Sequence, residues 1–194
     1  MIGTVIIFAK VPIYGQVKTR LGRDIGASAA TWWYRHQTAA LIRRIGQDPR
    51  WRTVLSVAPD HAGQVSRLLP PNIDRWRQGD GDLGQRMARA LSRPRGPVLL
   101  IGSDIPGVTR DILARAFQVL RGTDAVLGPA TDGGFWLIGL NRRAGPLPRT
   151  LFRGVRWSGP DAMADTVTTL RPLRVDYAAT LTDVDTADDL RRRA

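Results

Sequence analysis

The chain has 194 residues, 43% of them hydrophobic and none of them cysteine. That is enough for one domain with a real core, and it excludes a disulfide framework, a thiolate metal site and a cysteine nucleophile. The formal net charge of +12 admits nucleic acid, an acidic membrane surface or phosphorylated ligands as partners, but no stretch approaches the roughly 18 apolar residues of a membrane span.

Ile2 to Ala9 is apolar on both faces, as a central strand is. It is short and has no basic residue ahead of it, so it reads as a core strand rather than a signal peptide. A loop runs from Lys10 to about Gly26. Ala27 to Ile45 fits a helix with Leu41, Ile42 and Ile45 on its apolar face and Gly46 as a stop; Trp32 and Trp33 read as packing residues on it. Arg52 to Ala58 is a second strand, Asp60 caps a helix to Leu69, and Ile73 to Trp76 is a short third strand. Asp82 to Leu91 is a loop leading into a helix. Val98 to Ile101 is a strand ending in Gly102-Ser103-Asp104, and Thr109 caps a helix through Leu120 with Asp111 in its first turn. Strands at Asp124 to Leu127 and Phe135 to Leu140 flank the turn signal Asp132-Gly133-Gly134. A Gly/Pro loop from Asn141 to Pro148, a helix from Pro160 to Leu170 and a strand from Leu173 to Val175 follow. Thr186 caps a last helix with Asp188 and Asp189 at its dipole-positive end. Strands alternating with amphipathic segments predict an α/β fold with a mostly parallel sheet. No repeat or linker interrupts it, so residues 1–194 read as one domain.

Charge is distributed unevenly by type. Only two of the 29 basic residues are lysine, and both, Lys10 and Lys18, lie in the first loop, where a compact, mobile point charge is useful. The arginines are scattered, apart from a short cluster at Arg191, Arg192 and Arg193, which argues against a nucleic-acid-binding tail. The absence of cysteine fits a cytoplasmic location. The two histidines, His36 and His61, fall in separate elements, so neither a histidine metal cluster nor a Ser-His-Asp triad is expected.

What remains are cations, carboxylates and glycine loops. The first loop leaves the carboxyl end of a central strand, where open α/β sheets bind ligands. Gly15 can bring backbone N–H groups close to an anion, and Lys10, Lys18 and Arg20 can neutralise phosphates, or simply form a solvated basic loop. Asp104 ends a hydrophobic strand that Pro106 stops; it suits Mg²⁺, which takes one or two carboxylates plus phosphate oxygens, or else caps the turn. Asp183 and Asp185 lie on one side of an extended segment, and either can complete the metal site. The segment Gln78-Gly79-Asp80-Gly81-Asp82-Leu83-Gly84 is either a loop wrapping a flat ligand, with Gln78 on a base edge, or a flexible turn. Asp132 with Gly133, Gly134 and Phe135 borders an acceptor pocket or forms an ordinary hairpin.

In order along the chain, Phe8-Ala9-Lys10, Pro12, Gly15, Lys18-Thr19-Arg20-Leu21, then Gln78-Gly79, Gly81-Asp82-Leu83-Gly84, Arg86-Met87, Gly102-Ser103-Asp104, Pro106, Gly128-Pro129-Ala130, Asp132-Gly133-Gly134-Phe135 and Asp183-Val184-Asp185-Thr186 resemble a bacterial glycosyltransferase-like family. That family belongs to the nucleotide-diphospho-sugar transferase superfamily, which includes 2-phospholactate guanylyltransferase, molybdenum-cofactor guanylyltransferase and sugar nucleotidyltransferases. The resemblance implies a glycosyltransferase-A-type fold, a Rossmann-like α/β/α sandwich with a mixed, mostly parallel sheet. It implies that Lys10, Lys18 and Arg20 face the nucleotide phosphates, that Gly15 and Ser103 also bind the nucleotide, and that the Gln78 to Gly84 loop, with Gly81 and Asp82, holds the base. Asp104 and, by its likeness to the late aspartate of sugar cytidylyltransferases, Asp185 would bind Mg²⁺ (or Mn²⁺). Asp132, Gly133, Gly134 and Phe135 would line the acceptor side.

Asp104 stands in Ser-Asp-Ile-Pro rather than in the Asp-x-Asp triplet common in true glycosyltransferases, and the Lys-Thr-Arg loop resembles a triphosphate cradle. The expected reaction is therefore transfer of a nucleotidyl group from a nucleoside triphosphate to a phosphorylated small-molecule acceptor, with Lys18, Arg20, Asp104 and Asp132 in catalytic roles. Glycosyl transfer from a nucleotide-sugar is the alternative, and a non-catalytic basic module that binds nucleic acid is the third reading.

Overall fold

The computed structural model describes residues 2–142 and 145–192. Of the loop expected over 141–148, residues 143 and 144 lie outside the described residues, as does Arg193 of the basic cluster.

The first strand, β1 (Gly3–Lys10), sends Val5 and Ile7 into one core cluster and Ile6 into the other, which is why the whole run is apolar. It pairs in parallel with β2 (Trp51–Ala58) on one side and β4 (Val98–Gly102) on the other. The seven-stranded sheet has the order β3-β2-β1-β4-β6-β5-β7, with β3 at Asp74–Arg77, β5 at Ala125–Pro129, β6 at Phe135–Leu140 and β7 at Val175–Tyr177. Only β6 runs antiparallel to its neighbours, because the short Asp132-Gly133-Gly134 turn brings the chain straight back from β5. The mixed, mostly parallel sheet expected from the sequence is therefore present.

Helices α2 (Ala27–Ile45) and α5 (Arg110–Gly122) cover one face through Leu41, Ile45, Leu113 and Leu120. On the other face lie α4 (Leu83–Ser92) and α6 (Ala162–Thr169), with Phe152 and Val155 of the loop between β6 and α6. This is the α/β/α sandwich, and each fully buried Leu or Ile contributes about 1.5–3 kcal/mol. No helix among the described residues is long and apolar enough to cross a membrane.

Five expectations need correction. The first loop is shorter than 10–26, because α1 (Thr19–Ile25) forms inside it; Leu21 docks with Ala30 and Val184 in a small satellite core. Helix α3 (Asp60–Val65) stops before Leu69, where Arg75 donates to the carbonyls of Gly63, Gln64, Ser66, Leu69 and Pro70. Asp60 is not its cap; Pro59 holds that position, and the Asp60 carboxylate accepts from the N–H groups of Gln78 and Gly79. The last strand begins at Val175 rather than Leu173, whose N–H closes a turn onto Leu170. Trp32 does not pack in the core: it is 63% exposed and stacks on His36. The caps at Thr109 and Thr186 are as read, the latter in a capping box with Asp189 that opens α7 (Ala187–Arg191).

Candidate functional site

Three loops meet at the carboxyl ends of β1 and β4. The loop after β1 ends at Lys18, whose backbone is left-handed (φ 47°, ψ 48°) and immediately precedes α1. Beyond β4 the chain turns sharply at Ser103-Asp104. The third loop is the extended Asp183-Val184-Asp185 segment, in which Val184 is buried and the two aspartates face a shared cleft. That cleft, about 500 Å³ in volume, is also bordered by Lys10, Arg20, Ser103 and Asp132. Residues separated by more than 160 positions in the chain are thus brought together.

The geometry at the centre is specific. Lys18 Nζ lies 2.6 Å from Asp104 Oδ2 and 2.6 Å from Asp185 Oδ1, with its side chain only 6% exposed. Burial works to lower the Lys18 pKa, but the charges and hydrogen bonds of Asp104 and Asp185 outweigh it and the pKa is raised. Arg20, mostly exposed, reaches the other oxygen of Asp185 at 3.4 Å. Asp183 is pushed up to about 6, first by burial and then by the charges of Asp185 and Asp132. Four carboxylates thus share the cleft with one buried ammonium, two of them in contact with it.

The donor set of the carboxylate pair is that of a hard-metal site. Two hard oxygens converge on one cationic point, as a divalent ion requires. Among the described residues no group of three or more His, Cys, Asp or Glu side chains completes such a set. The pair fits a hard divalent ion that takes its remaining ligands from phosphate or water.

The sequence reading of the glycine loop needs correction. Gln78 is 2% exposed, and both its amide N–H groups are used: Nε2 donates to the carbonyls of Ala9 at 3.0 Å and Ser56 at 2.9 Å. Its Oε1 accepts from Arg86 at 3.1 Å, so Gln78 orients Arg86 rather than reading a base. Asp82 is the N-cap of α4, paired reciprocally with Gln85. Gly84 is buried, and a Cβ there would press on Phe152. Gly81 (φ 103°) lines an adjoining cleft of about 450 Å³, bordered also by Lys10, Pro59, Gly79, Asp80 and Arg86.

On the acceptor side only Asp132 reaches the cleft wall. Gly133 packs against the backbone of Pro160, the Gly134 N–H donates to Asp132 Oδ1 at 2.9 Å, and Phe135 tilts against Trp157. These three hold the hairpin in place rather than border the cleft. Gly15 (φ 70°) supplies the turn of the first loop and lines neither cleft.

Three residues to which the sequence assigns no site role border the clefts or tie them together. The Tyr34 hydroxyl accepts from the Lys10 N–H at 2.9 Å and lies 2.8 Å from Ser103 Oγ, tying the first loop to the turn that carries Asp104. A polar atom on the Ala30-Tyr34-Thr38-Leu41-Ile45 stripe, otherwise the apolar face of α2, was the available signal. Arg86 borders both clefts, and its partners are neutral: Gln78 Oε1 and the Asp82 carbonyl at 3.3 Å. Ser158 sits in the cleft wall with a left-handed backbone (φ 65°), the kind of local strain that collects at functional sites.

The chain is similar to several solved structures. One, from Desulfovibrio desulfuricans and provisionally named a nucleotide-diphospho-sugar transferase, is 32% identical over 98% of this chain and 85% of that one, with a TM-score of 0.88. A second is Rv0371c of Mycobacterium tuberculosis in complex with manganese, 23% identical over 99% of this chain and 97% of that one, TM-score 0.55. A third is 4-diphosphocytidyl-2C-methyl-D-erythritol synthase of Anaerococcus prevotii, 11% identical over 98% and 95%, TM-score 0.60. The last two likenesses are of fold alone, and the fold is that of nucleotide-diphospho-sugar transferases. No curated protein matches the chain. The model of the bacterial family described as "Uncharacterized protein conserved in bacteria (DUF2064)" matches residues 41–159, and the chain belongs to that family.

Proposed function

We propose that residues 1–194 form one cytoplasmic transferase domain, akin to the glycosyltransferase-like family that its motifs resemble, which moves a nucleotidyl group from a nucleoside triphosphate to a phosphorylated small-molecule acceptor. The observation that carries this reading is the convergence of Lys18, Asp104 and Asp185 at the carboxyl edge, beside a second cleft joined to the first by Lys10 and Arg86. The adjoining cleft, walled by Pro59 and the Gly79–Gly81 backbone, takes the base. Lys10 and Arg86, at the junction, hold phosphates by charge-assisted hydrogen bonds. Asp104 and Asp185 hold Mg²⁺ or Mn²⁺, which when bound stabilises charge developing on the phosphate oxygens. Arg20 neutralises the leaving pyrophosphate. A phosphorylated acceptor is already ionised and needs no general base, so positioning and charge neutralisation suffice.

One observation favours glycosyl transfer as a second reading. A hydroxyl acceptor requires a base; Asp132 stands in the cleft wall, and Asp183 beside it titrates near 6, close to the range a general base needs. The products separate the two reactions. Incubation with Mg²⁺, each nucleoside triphosphate and a panel of phosphorylated small molecules is expected to release pyrophosphate, and Asp104→Asn to abolish the release. Nucleoside diphosphate released from nucleotide-sugars instead would establish the second reading, and release of neither would overturn both.

A further inference from the structure

Lys18 was expected to face phosphates, yet its ammonium lies between the two carboxylates assigned to the metal, 2.6 Å from each. The arrangement is built in. The side chain is nearly buried, and the residue adopts a left-handed backbone that favours glycine, immediately before the first turn of α1. An ammonium and a divalent ion compete for the same pair of oxygens. Asp132 and Asp183 share the cleft, but among the described residues no third carboxylate or imidazole joins the pair in a group that could hold an ion.

We propose that Lys18 is a specificity-determining residue that makes the site refuse free divalent metal and accept metal only together with a polyphosphate. The inference rests on the reading of Asp104 and Asp185 as metal ligands. A bare ion must displace the ammonium from the two oxygens that hold it at 2.6 Å and leave it beside the ion's own positive charge. A polyphosphate changes both sides of the exchange: its oxygens complete the ion's coordination, and its negative charge gives the displaced ammonium a new partner. A ligand shifts such an equilibrium only by the difference in its affinity for the two states. Lys18 thereby ties metal binding to the presence of the substrate.

The test is Mn²⁺ binding followed by the electron paramagnetic resonance signal of the free ion, with and without a nucleoside triphosphate. Wild type is expected to bind Mn²⁺ weakly alone and strongly with the nucleotide. Lys18→Met is expected to gain about tenfold or more in affinity for Mn²⁺ alone, the size of one lost charge-assisted contact. Lys18→Gly, which accepts φ 47° without strain, should gain similarly and guards against a folding defect, whereas Lys18→Arg should stay weak. A merely structural role would not raise metal affinity. If neither Lys18→Met nor Lys18→Gly gains affinity while wild type binds Mn²⁺ with nucleotide and Asp104→Asn does not, the inference fails and the functional reading stands. If wild type and Asp104→Asn bind Mn²⁺ equally with nucleotide, the metal assignment fails and takes the inference with it.

Discussion

Asp48, between α2 and β2, and Asp104, after β4, are both aspartates at strand ends, but their surroundings differ in kind. Asp48 is buried and accepts from Arg50 three times, at 2.9 Å from Nε, 2.7 Å from Nη2 and 3.0 Å from the backbone N–H; Arg110 stands 3.8 Å away. The hydrogen bonds of Arg50 hold its carboxyl down at about 2. One carboxylate thus has its own fork of donors, all but Arg110 within two residues in sequence. At the carboxyl edge, Asp104 and Asp185 share one ammonium, and Asp132 and Asp183 add charge beside them. The first arrangement is complete and stabilises the fold. The second is short of positive charge, a deficit that the cation of the proposed function would make up. Locally paired charge reads as structure, whereas charge gathered from distant segments and left in excess reads as function.

That contrast can be broken at either end. The largest expected effect is at the junction of the clefts: Arg86→Met should weaken nucleoside triphosphate binding by about 10- to 100-fold, the range of a lost charge-assisted hydrogen bond, with little change in melting temperature. Calorimetric titration checks it. Next, Asp48→Ala should destabilise the fold by about 1–2 kcal/mol at pH 7, allowing for solvent screening of its arginine partners, and leave nucleotide binding unchanged. Because the folded pKa is below the unfolded one, this stabilisation is present above about pH 4 and is lost as pH falls toward 2. Urea melts of the two proteins should therefore converge in acid.

The smallest effect has the opposite sign. The Asp183 pKa is raised to about 6, so its contribution to stability is present below about pH 4 and is lost as pH rises through 6. Asp183→Asn should be the more stable protein at pH 8 by about 1 kcal/mol after discounting for exposure, with the gap closing below pH 4. A variant less stable than wild type at pH 8 would contradict the picture of crowded carboxylates.

How much of this was legible in the sequence follows from the range of the interactions involved. Strands with strong apolar runs, such as β1 and β4, and helices with capping residues, such as Thr109 and Thr186, are set by neighbours a few residues away. The Asp104–Asp185 pair was half legible: Asp104 announces itself by ending an apolar strand before Pro106, while Asp183 and Asp185 could not be told apart until the fold brought Lys18 to one of them. Helix α1 was missed because it has no side-chain cap, carries Gly22 in its middle, and docks on Val184 at the far end of the chain. The role of Gln78 was misread for the same reason. Its amide bridges the carbonyls of Ala9 and Ser56 on two neighbouring strands, a satisfaction requirement that is invisible until those strands are paired.

The most direct test of the central claim is thermal stability of wild type and Asp104→Asn against a panel of nucleoside triphosphates and nucleotide-sugars, with and without Mg²⁺. A ligand that binds only the folded form adds about 2.7 kcal/mol at a hundredfold excess over its Kd. A Mg²⁺-dependent stabilisation of wild type by a nucleoside triphosphate, lost in Asp104→Asn, is the expected result. An equal stabilisation of both proteins, or none of either at saturating ligand, would contradict it.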